Sequence, residues 1–357
     1  IKEKEEGFIE PVIDKEKCIH CNLCKKRCPN NPLESNTNQK TYISYYKDDN
    51  VKENSASGGI FYPIAKYVIE RKGFVFGVCY DKESVAHHQY VKTLKDLKKF
   101  QGSKYVRSDL RNSYKYVEKF LKEDKYVLFT GTPCQCQGLR TFLKKNYDKL
   151  LTCEIICHAN PSPKILNMYL KNIESIYNQN VKNIWFRSKK NGWKTSTPII
   201  ELKNKQLIEE DSYYKAFVTE LINRPSCSDC RFCGTSRYSD FTIGDMWGID
   251  KIDPSIKDDD TGISLFCVNT KKGHNILKKI SDDLFLKEVD TELAFSYNHH
   301  KNVPVHPKRD EFFQGIANGT INETNIIKYM KAYTKRPLYR RILSKCKRII
   351  KKLISKK

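Results

Sequence analysis

The chain has 357 residues, of which 39% are hydrophobic and 11% aromatic, so it is long enough for two or three folded domains and is not disordered in composition. Its 65 Lys and Arg residues outnumber its 42 Asp and Glu residues, which gives a net charge of +23. Because no apolar run approaches the roughly 18 residues of a membrane helix and no secretory signal pattern is evident, we expect neither an integral membrane protein nor a small secreted one.

The first 34 residues are rich in Cys and Pro, which is typical of a small domain held together by metal. Cys18, Cys21, Cys24 and Cys28 have the spacing C-x2-C-x2-C-x3-C, and Pro29 follows the last of them. Two-residue spacers let three thiolates reach three corners of one cubane, whereas zinc ribbons pair two C-x-x-C knuckles that lie far apart. The spacing therefore predicts a 4Fe-4S cluster rather than a zinc site.

This cysteine run occurs once, although in ferredoxins with two clusters the fourth cysteine of each run ligates the other cluster. The sequence starts at Ile1, shortly before the run. We therefore expect residues 1–40 to form a partial ferredoxin-like 4Fe-4S domain. We expect the intact protein to carry two clusters there, and this fragment to hold one incompletely or none.

Helical and strand patterns alternate after this segment, as in an α/β unit. The polar residues 35–55 are predicted to be a linker. In chain order we then predict a helix over 60–72, a strand over 74–80, helices over 96–100 and 114–122, a strand over 126–130, a helix over 134–145 and a strand over 150–157. A helix from Pro161 to Tyr177 and strands over 183–187 and 197–202 follow.

These elements predict an α/β (mixed α+β) core. The expected domain boundaries are 41–160 for an N-terminal α/β domain, 161–330 for a C-terminal domain and 331–357 for a basic tail.

Ser57, Gly58 and Gly59 precede the first of these helices. Backbone N–H groups without a Cβ in the way can seat a phosphate or the pyrimidine edge of a flavin, although a Gly pair before a helix also makes an ordinary turn. Gly131 and Thr132 offer the same geometry after a strand. Lys104 supplies a cation beside a glycine turn, or is a solvated surface lysine.

A second cysteine group comprises Cys227, Cys230 and Cys233. Cys134 and Cys157 lie where predicted strands and helices meet, so a cluster between two domains could take two ligands from each. Four other cysteines are expected to be small buried hydrophobic residues, namely Cys79, Cys153, Cys267 and Cys346. Of the adjacent His87 and His88, which lie in a strand-like segment, one is expected to face solvent.

Six stretches together resemble the beta-subunit family of coenzyme F420 hydrogenases and dehydrogenases, in the bacterial form with a fused ferredoxin domain. They cover residues 20 to 250 in the family's order. The matching stretches are SASGGIF (55–61), FVFGVCYD (74–81), KFQGSKYVRS (99–108), LFTGTPCQCQGLRTFL (128–143), CHANPSP (157–163) and RPSCSDCRFCGTSRYSDFTIGDMWGI (224–249).

The resemblance implies an iron–sulfur flavoprotein that binds FAD, in preference to FMN, in its α/β domain beside a cubane. It implies the cluster ligands Cys134, Cys157, Cys227 and Cys230, with Cys136 and Cys233 as extra cysteines. It implies the flavin-side residues Ser57, Gly58, Gly59, Lys104, Gly131 and Thr132. Ala159-Asn160 departs from the family pattern, which usually has Gly after Cys-His.

We therefore expect an oxidoreductase that passes electrons between 4Fe-4S clusters, FAD and an unidentified substrate, either F420-like or another conjugated acceptor. Expected partners are ferredoxin or another electron-transfer subunit, and a small-molecule acceptor. No proton-transfer residue is evident, and the role of His158 beside Cys157 stays open. The absence of a signal and the cysteine pattern favour a cytoplasmic protein.

Two other functions fit parts of the sequence. One is a zinc-bearing nucleic-acid binder, suggested by the C-x-x-C runs and the positive charge. No His completes a zinc finger after either run, and much of the charge is local, so we expect no nucleic-acid partner. The other is an electron-relay module without a substrate of its own.

Much of the excess positive charge lies in residues 335–357, which carry eleven Lys or Arg residues and no acidic residue. Leucines and isoleucines recur there at helical spacing, which predicts an amphipathic basic helix. Such a helix could contact the inner membrane face or an acidic partner. The alternative is a frayed, solvated tail.

Overall fold

A computed structural model describes residues 2–29, 31, 38–195, 197–298 and 301–335. Its strands are β1 (Lys2–Glu3), β2 (Ile9–Glu10), β3 (Lys40–Tyr46), β4 (Phe74–Tyr80), β5 (Ala86–Val91), β6 (Val127–Gly131), β7 (Leu150–Ile155), β8 (Val181–Ser188), β9 (Thr197–Leu202), β10 (Leu207–Glu209), β11 (Phe241–Asp245), β12 (Ser264–Val268) and β13 (Leu284–Val289).

The helices of the described residues are α1 (Leu23–Lys26), α2 (Asp49–Glu53), α3 (Phe61–Glu70), α4 (Ser113–Lys122), α5 (Pro133–Leu143), α6 (Pro163–Tyr177), α7 (Ser212–Val218), α8 (Ile249–Ile252), α9 (Lys271–Ile280), α10 (Thr291–Ser296), α11 (Arg309–Ala317) and α12 (Ile326–Tyr333). Short 3₁₀ turns cover Lys95–Phe100, Pro225–Asp229 and Ser281–Asp283. Each of these helices is too short or too polar to cross a bilayer. The helices and strands predicted between residues 60 and 202 are confirmed, with ends shifted by a few residues.

The central element is an eight-stranded mixed sheet with the order β13-β3-β12-β11-β7-β6-β4-β5. The neighbours β4, β6, β7 and β11 run parallel, and the outer strands pair antiparallel. Helices cover both faces, as parallel sheets require. Val75 points toward α3 and α9, whereas its neighbour Phe76 points toward α4 and α5, since successive side chains alternate between faces. The predicted α/β class is therefore confirmed.

The parallel arrangement brings the carboxyl ends of four strands to one edge of the sheet. Asp245 at the end of β11 pairs with Ser264 at the start of the antiparallel β12, and Ser264 pairs with Ser44 of β3. Loops from six strands thus meet at this edge, which is where open α/β sheets bind ligands.

A second, three-stranded antiparallel sheet has the order β10-β9-β8. It packs with α6, α7, α11 and α12 around a core that includes Tyr169, Tyr213 and Phe312. The strands of the large sheet come from both sides of residue 160, and the predicted domain division there stays a prediction.

The linker predicted over residues 35–55 is wrong for its central part. β3 lies inside the large sheet between β12 and β13, and α2 follows it. The segment KTYISYY is rich in β-branched and aromatic residues that suit a pleated, buried surface. The polar residues on either side of this short strand favoured the prediction of a linker. The predicted tail lies outside the described residues from position 336 onward, so its expected contact stays a prediction.

The N-terminal segment is anchored to the rest of the chain by its first turn. Both carboxylate oxygens of Glu6 accept hydrogen bonds from the buried guanidinium of Arg309, at 2.9 and 2.5 Å. Gly7 has a φ of +82°, and a Cβ there would lie 2.3 Å from the Cβ of Lys164. Phe8 is buried next to it. This anchor fixes where the Cys-rich segment leaves the core.

Both histidines of β5 are buried, so the expectation that one of them faces solvent is wrong. The segment around Asp109 covers the outer side of β5, because it bridges to His87. His88 is 2% exposed, and its Nε2 donates to the Thr130 carbonyl at 3.1 Å. Its Nδ1 lies 3.1 Å from the Ser108 hydroxyl.

Burial lowers the pKa of His88 to about 4. An unfolded histidine titrates near 6.5, so between pH 6.5 and 4 the unfolded chain binds a proton that the folded chain does not. We expect this group to remove about 3 kcal/mol of stability over that window. Urea unfolding of His88→Gln should show a correspondingly smaller acid loss, whereas His20→Gln, at an exposed position, should behave like the unmodified protein. An unchanged acid loss in His88→Gln would contradict the assignment.

Candidate functional site

A cavity of about 580 Å³ lies at the carboxyl edge of the sheet. Loops that follow β3, β6, β7 and β11 form its floor, and Tyr214, Phe217 and Val218 from α7 close it from the second sheet's side. The volume is typical of small-molecule sites, as is a mostly apolar wall with few polar groups. Five of the six predicted flavin-side residues line it, namely Ser57, Gly59, Lys104, Gly131 and Thr132.

The sixth, Gly58, does not line the cavity but packs against β3 and β12. Its N–H donates to the Ser264 hydroxyl at 2.9 Å, and a Cβ at this position would lie 2.8 Å from the Ser44 carbonyl oxygen. Glycine is therefore required here for the close approach of the loop to β3 and β12. Gly59 has a φ of +85°, which glycine adopts without strain.

Lys104 lines the cavity, but all three of its N–H donors have protein acceptors. The ammonium donates to the carbonyls of Gln101 at 2.7 Å, Gly102 at 3.2 Å and Lys99 at 3.3 Å. Burial lowers the pKa of Lys104 to about 8. This lysine therefore holds the 99–104 turn in shape and presents a titratable group to the cavity.

Thr132 begins helix α5 at the cavity floor. Its N–H and hydroxyl both donate to Oε1 of Gln135, at 3.0 and 3.1 Å, and Gln135 Nε2 donates to the Ser108 hydroxyl at 3.0 Å. Ser108 in turn contacts the buried His88. Because the Thr130 carbonyl can only accept, it fixes which nitrogen of His88 carries the proton. This continuous network holds three cavity-lining side chains in place.

A buried ion pair that sequence reasoning missed forms the opposite wall. Arg187 Nη1 donates to Asp245 Oδ2 at 2.8 Å, and the Arg187 side chain is 4% exposed. The Arg187 guanidinium lies 5.1 Å from the ring centre of Trp247, which stacks on Trp193 at 4.8 Å. Burial raises the pKa of Asp245, while Arg187 acts against that shift. The two residues lie on strands of different sheets, so only the tertiary structure brings this pair together.

Lys189 is the second missed residue. Its ammonium donates to the carbonyls of Lys52 at 2.6 Å, Ser57 at 2.9 Å and Thr261 at 2.6 Å. Burial lowers the pKa of Lys189 to about 8, and the nearby Lys52 adds to that shift. Lys189 thus ties three segments together at the glycine turn before α3.

The four cysteines implied as cluster ligands come from three separate segments. Cys134 lies in the first turn of α5, Cys157 follows β7, and Cys227 and Cys230 lie in and just after the 3₁₀ turn Pro225–Asp229. A backbone bond of 2.9 Å from Arg224 N to the Asn160 carbonyl connects the last two segments. The backbone of Asn160 therefore takes part in joining them.

The structure brings these four thiols together. Burial raises the pKa of Cys157 well above its ordinary value, and Cys134, Cys227 and Cys230 each raise it further. Burial also raises the pKa of Cys227 to about 11, again with contributions from Cys134 and Cys230. Electrostatic interactions thus connect Cys157 and Cys227 with Cys134 and Cys230, so the four side chains lie near one another.

The two extra cysteines lie near this set. Cys136 is fully buried, and Glu154, Cys153 and Cys134 each raise the pKa of its thiol, while burial and Cys230 raise the pKa of Cys233. The predictions that Cys79, Cys153 and Cys267 are buried are confirmed, and Cys346 lies outside the described residues.

The first cysteine run lies on the surface. Cys21 and Cys24 are exposed, and Cys18 and Cys28 are partly buried. Arg27 Nη1 donates to the Thr141 carbonyl at 3.4 Å, near the end of α5. Thr141 lies seven positions after Cys134 in this helix, a rise of about 10 Å. Within the described ranges, no three His, Cys, Asp or Glu side chains are set to hold a single metal ion.

His158 lines the cavity next to Cys157 and contacts an acid. Its Nε2 lies 2.7 Å from Oε1 of Glu220, whose side chain is 4% exposed. Asn223 Nδ2 donates to the other oxygen of Glu220 at 2.8 Å. The imidazole is therefore held by a buried carboxylate at the junction of the cavity and the thiol group.

Comparison with known families gives two matches. Residues 124–293 match the family described as the C-terminal part of the beta subunit of coenzyme F420 hydrogenase/dehydrogenase, and residues 11–34 match the 4Fe-4S binding domain. This chain carries a domain of the F420 hydrogenase/dehydrogenase beta-subunit family. The predicted resemblance is confirmed, as is the ferredoxin-type nature of the first cysteine run. The family is one of oxidoreductase subunits, and all four implied ligands of the second set lie within the matched range.

Among solved structures, a chain of the F420-reducing [NiFe] hydrogenase complex from Methanosarcina barkeri, studied by xenon derivatization, is similar. Its identity to this chain is 17% and the TM-score is 0.47, with 84% of this chain and 94% of that chain covered. No curated protein sequence matches significantly.

Because Lys189 joins three segments through its hydrogen bonds, we expect its loss to destabilise the fold. Lys189→Met leaves three backbone carbonyls without their donor, and we expect a loss of about 1–3 kcal/mol in the free energy of unfolding. Lys190→Met is the matched control, since Lys190 is exposed and pairs with Glu209 at the surface. Urea denaturation of both variants measures the difference. Equal stability of the two variants would show that the tether contributes nothing.

Proposed function

We propose that this protein is an iron–sulfur flavoprotein oxidoreductase. It would pass electrons between 4Fe-4S clusters, an FAD bound in the cavity, and a conjugated small-molecule acceptor. The observation that carries the proposal is the position of Cys157, which belongs to the four-thiol group and also lines the cavity. A cluster and a planar cofactor held by these residues would be neighbours.

The donor chemistry fits a cubane. Four thiols are the ligand set of iron–sulfur clusters, and a cluster of four irons places its ligands at its corners, farther apart than the ligands of one ion. Mutual repulsion among buried thiolates is relieved when they bind a cationic core. Cys134, Cys157, Cys227 and Cys230 would hold one cluster, and Cys18, Cys21, Cys24 and Cys28 belong to the ferredoxin-type domain.

The cavity fits a flavin. Apolar walls from Ile60, Phe100 and Val106 suit a conjugated ring, and the Ser57–Gly59 turn and the start of α5 offer polar groups at its ends. A flavin held there would supply hydride chemistry together with one-electron chemistry. The chain's own part is to hold the ring with its floor network, to exclude water through α7, and to offer Lys104 and His158 as groups that can hold a proton.

The surface position of the first cysteine run suits exchange with a protein partner. Arg27 places the run against the end of α5, and Cys134 lies at the other end of that helix. Electrons would enter or leave at the exposed run and reach the four-thiol group along α5. A relay module without a substrate would need no cavity of this size beside the inner cysteines.

Iron content and colour test the proposal. The protein purified without air should show flavin absorbance and broad cluster absorbance near 400 nm (roughly, as cubanes do), with iron and acid-labile sulfide in equal amounts. Cys157→Ala should lose about four irons per chain. Cys153→Ala, which changes a buried cysteine outside the set, should keep them.

Two outcomes would overturn the proposal. A colourless protein with stoichiometric zinc would favour the zinc-bearing alternative, and a coloured protein with no bound flavin would favour the relay. Equal iron loss in both cysteine variants would show that Cys157 has no special role.

A further inference from the structure

Arg237 has a side chain that is 2% exposed, and it contacts the loop of residues 227–234. Its Nη1 donates to the Phe232 carbonyl at 3.3 Å and its Nη2 donates to the Gly234 carbonyl at 2.5 Å. These two carbonyls flank Cys233, at the end of the loop that carries Cys227 and Cys230. The guanidinium also lies 4.9 Å from the ring centre of Phe295, which packs against it from α10.

The same guanidinium contacts the strand that leads to Cys157. Arg237 Nη1 lies 3.5 Å from Oε1 of Glu154 in β7, and the Glu154 side chain is 1% exposed. Ser239 and Thr242 donate to the two oxygens of Glu154 at 2.8 and 3.1 Å. The carboxylate is therefore fixed by three donors, and the guanidinium by acceptors on two segments.

We propose that Arg237 is a positioning residue that fastens the 227–234 loop to β7 and supplies the positive charge that sets the reduction potential of the cluster held by Cys134, Cys157, Cys227 and Cys230. This inference rests on the proposed function. The family match gives neither Arg237 nor Glu154 a role.

Two physical facts support it. A buried, partnered cation has a strong field because little water screens it. The two carbonyls that Arg237 holds flank Cys233, three residues after Cys230, and its partner Glu154 lies three residues before Cys157. Reduction adds one negative charge to a cluster, so a nearby fixed cation favours the reduced form and a nearby fixed anion disfavours it.

The proposal predicts opposite shifts for the two members of the pair. Arg237→Gln removes the cation and should move the midpoint potential of this cluster to a more negative value. Glu154→Gln removes the anion and should move it to a more positive value. Arg237→Lys keeps the charge but loses the fork of donors, so its potential should stay near that of the unmodified protein while the loop loosens. Arg231→Gln, at an exposed site in the same loop, is the matched control.

Redox titration of the anaerobically purified holoprotein, followed by electron paramagnetic resonance, measures the potentials. Hydrogen–deuterium exchange over residues 227–234 measures the fastening, and both Arg237 variants should exchange faster there than Arg231→Gln. A merely structural arginine would change exchange and leave all potentials equal.

The outcomes separate this inference from the proposed function. If the unmodified protein holds no cluster, the proposed function and this inference both fail. If it holds the cluster and the potentials of Arg237→Gln and Glu154→Gln equal its own, or shift in the same direction, only the inference fails. Should Arg237→Gln not fold, the shift in Glu154→Gln and the exchange in Arg237→Lys still decide the question.

Discussion

The shared direction of β4, β6, β7 and β11 is the constraint on which the site depends. Parallel strands end at one edge, so residues far apart in sequence, such as Thr132, Cys157 and Asp245, meet there without long connecting loops. The antiparallel partners β12 and β3 return the chain to the same edge and bring the Ser57–Gly59 turn to it. A cavity and a group of thiols at this edge follow from the topology, before any cofactor is considered.

Burying the charged side chains at this edge costs free energy, and each of those named below has a hydrogen-bonding or ionic partner. Arg187 pairs with Asp245, Arg237 with Glu154, and Lys189 with three carbonyls. Buried charges without partners would cost several kcal/mol each. Cys157, Cys227 and Cys230 are the exception, since burial raises the pKa of each thiol and neighbouring cysteines raise it further. Buried groups with perturbed pKa values of this kind are typical of a binding centre rather than of a structural core.

The features that the sequence predicts correctly are local in the chain. The C-x-x-C spacings, the Gly turns before α3 and α5, and the alternation of helix and strand depend on neighbouring residues, and each could be read directly. Arg187, Lys189 and Arg237 could not, because their roles depend on contacts with residues 58, 132 and 83 positions away. β3 was missed since its pairing with β12 and β13 is equally remote. The burial of His88 depends on the segment around Asp109, which no periodicity indicates.

The proposed function requires a cluster and a planar cofactor side by side at the carboxyl edge of the sheet. Anomalous diffraction from crystals of the anaerobically purified holoprotein, collected above and below the iron absorption edge, tests it most directly. We predict an iron peak among Cys134, Cys157, Cys227 and Cys230, with electron density for a fused ring in the cavity beside Cys157. Iron found only at the first cysteine run, or a zinc signal among the four thiols, would contradict the proposed function.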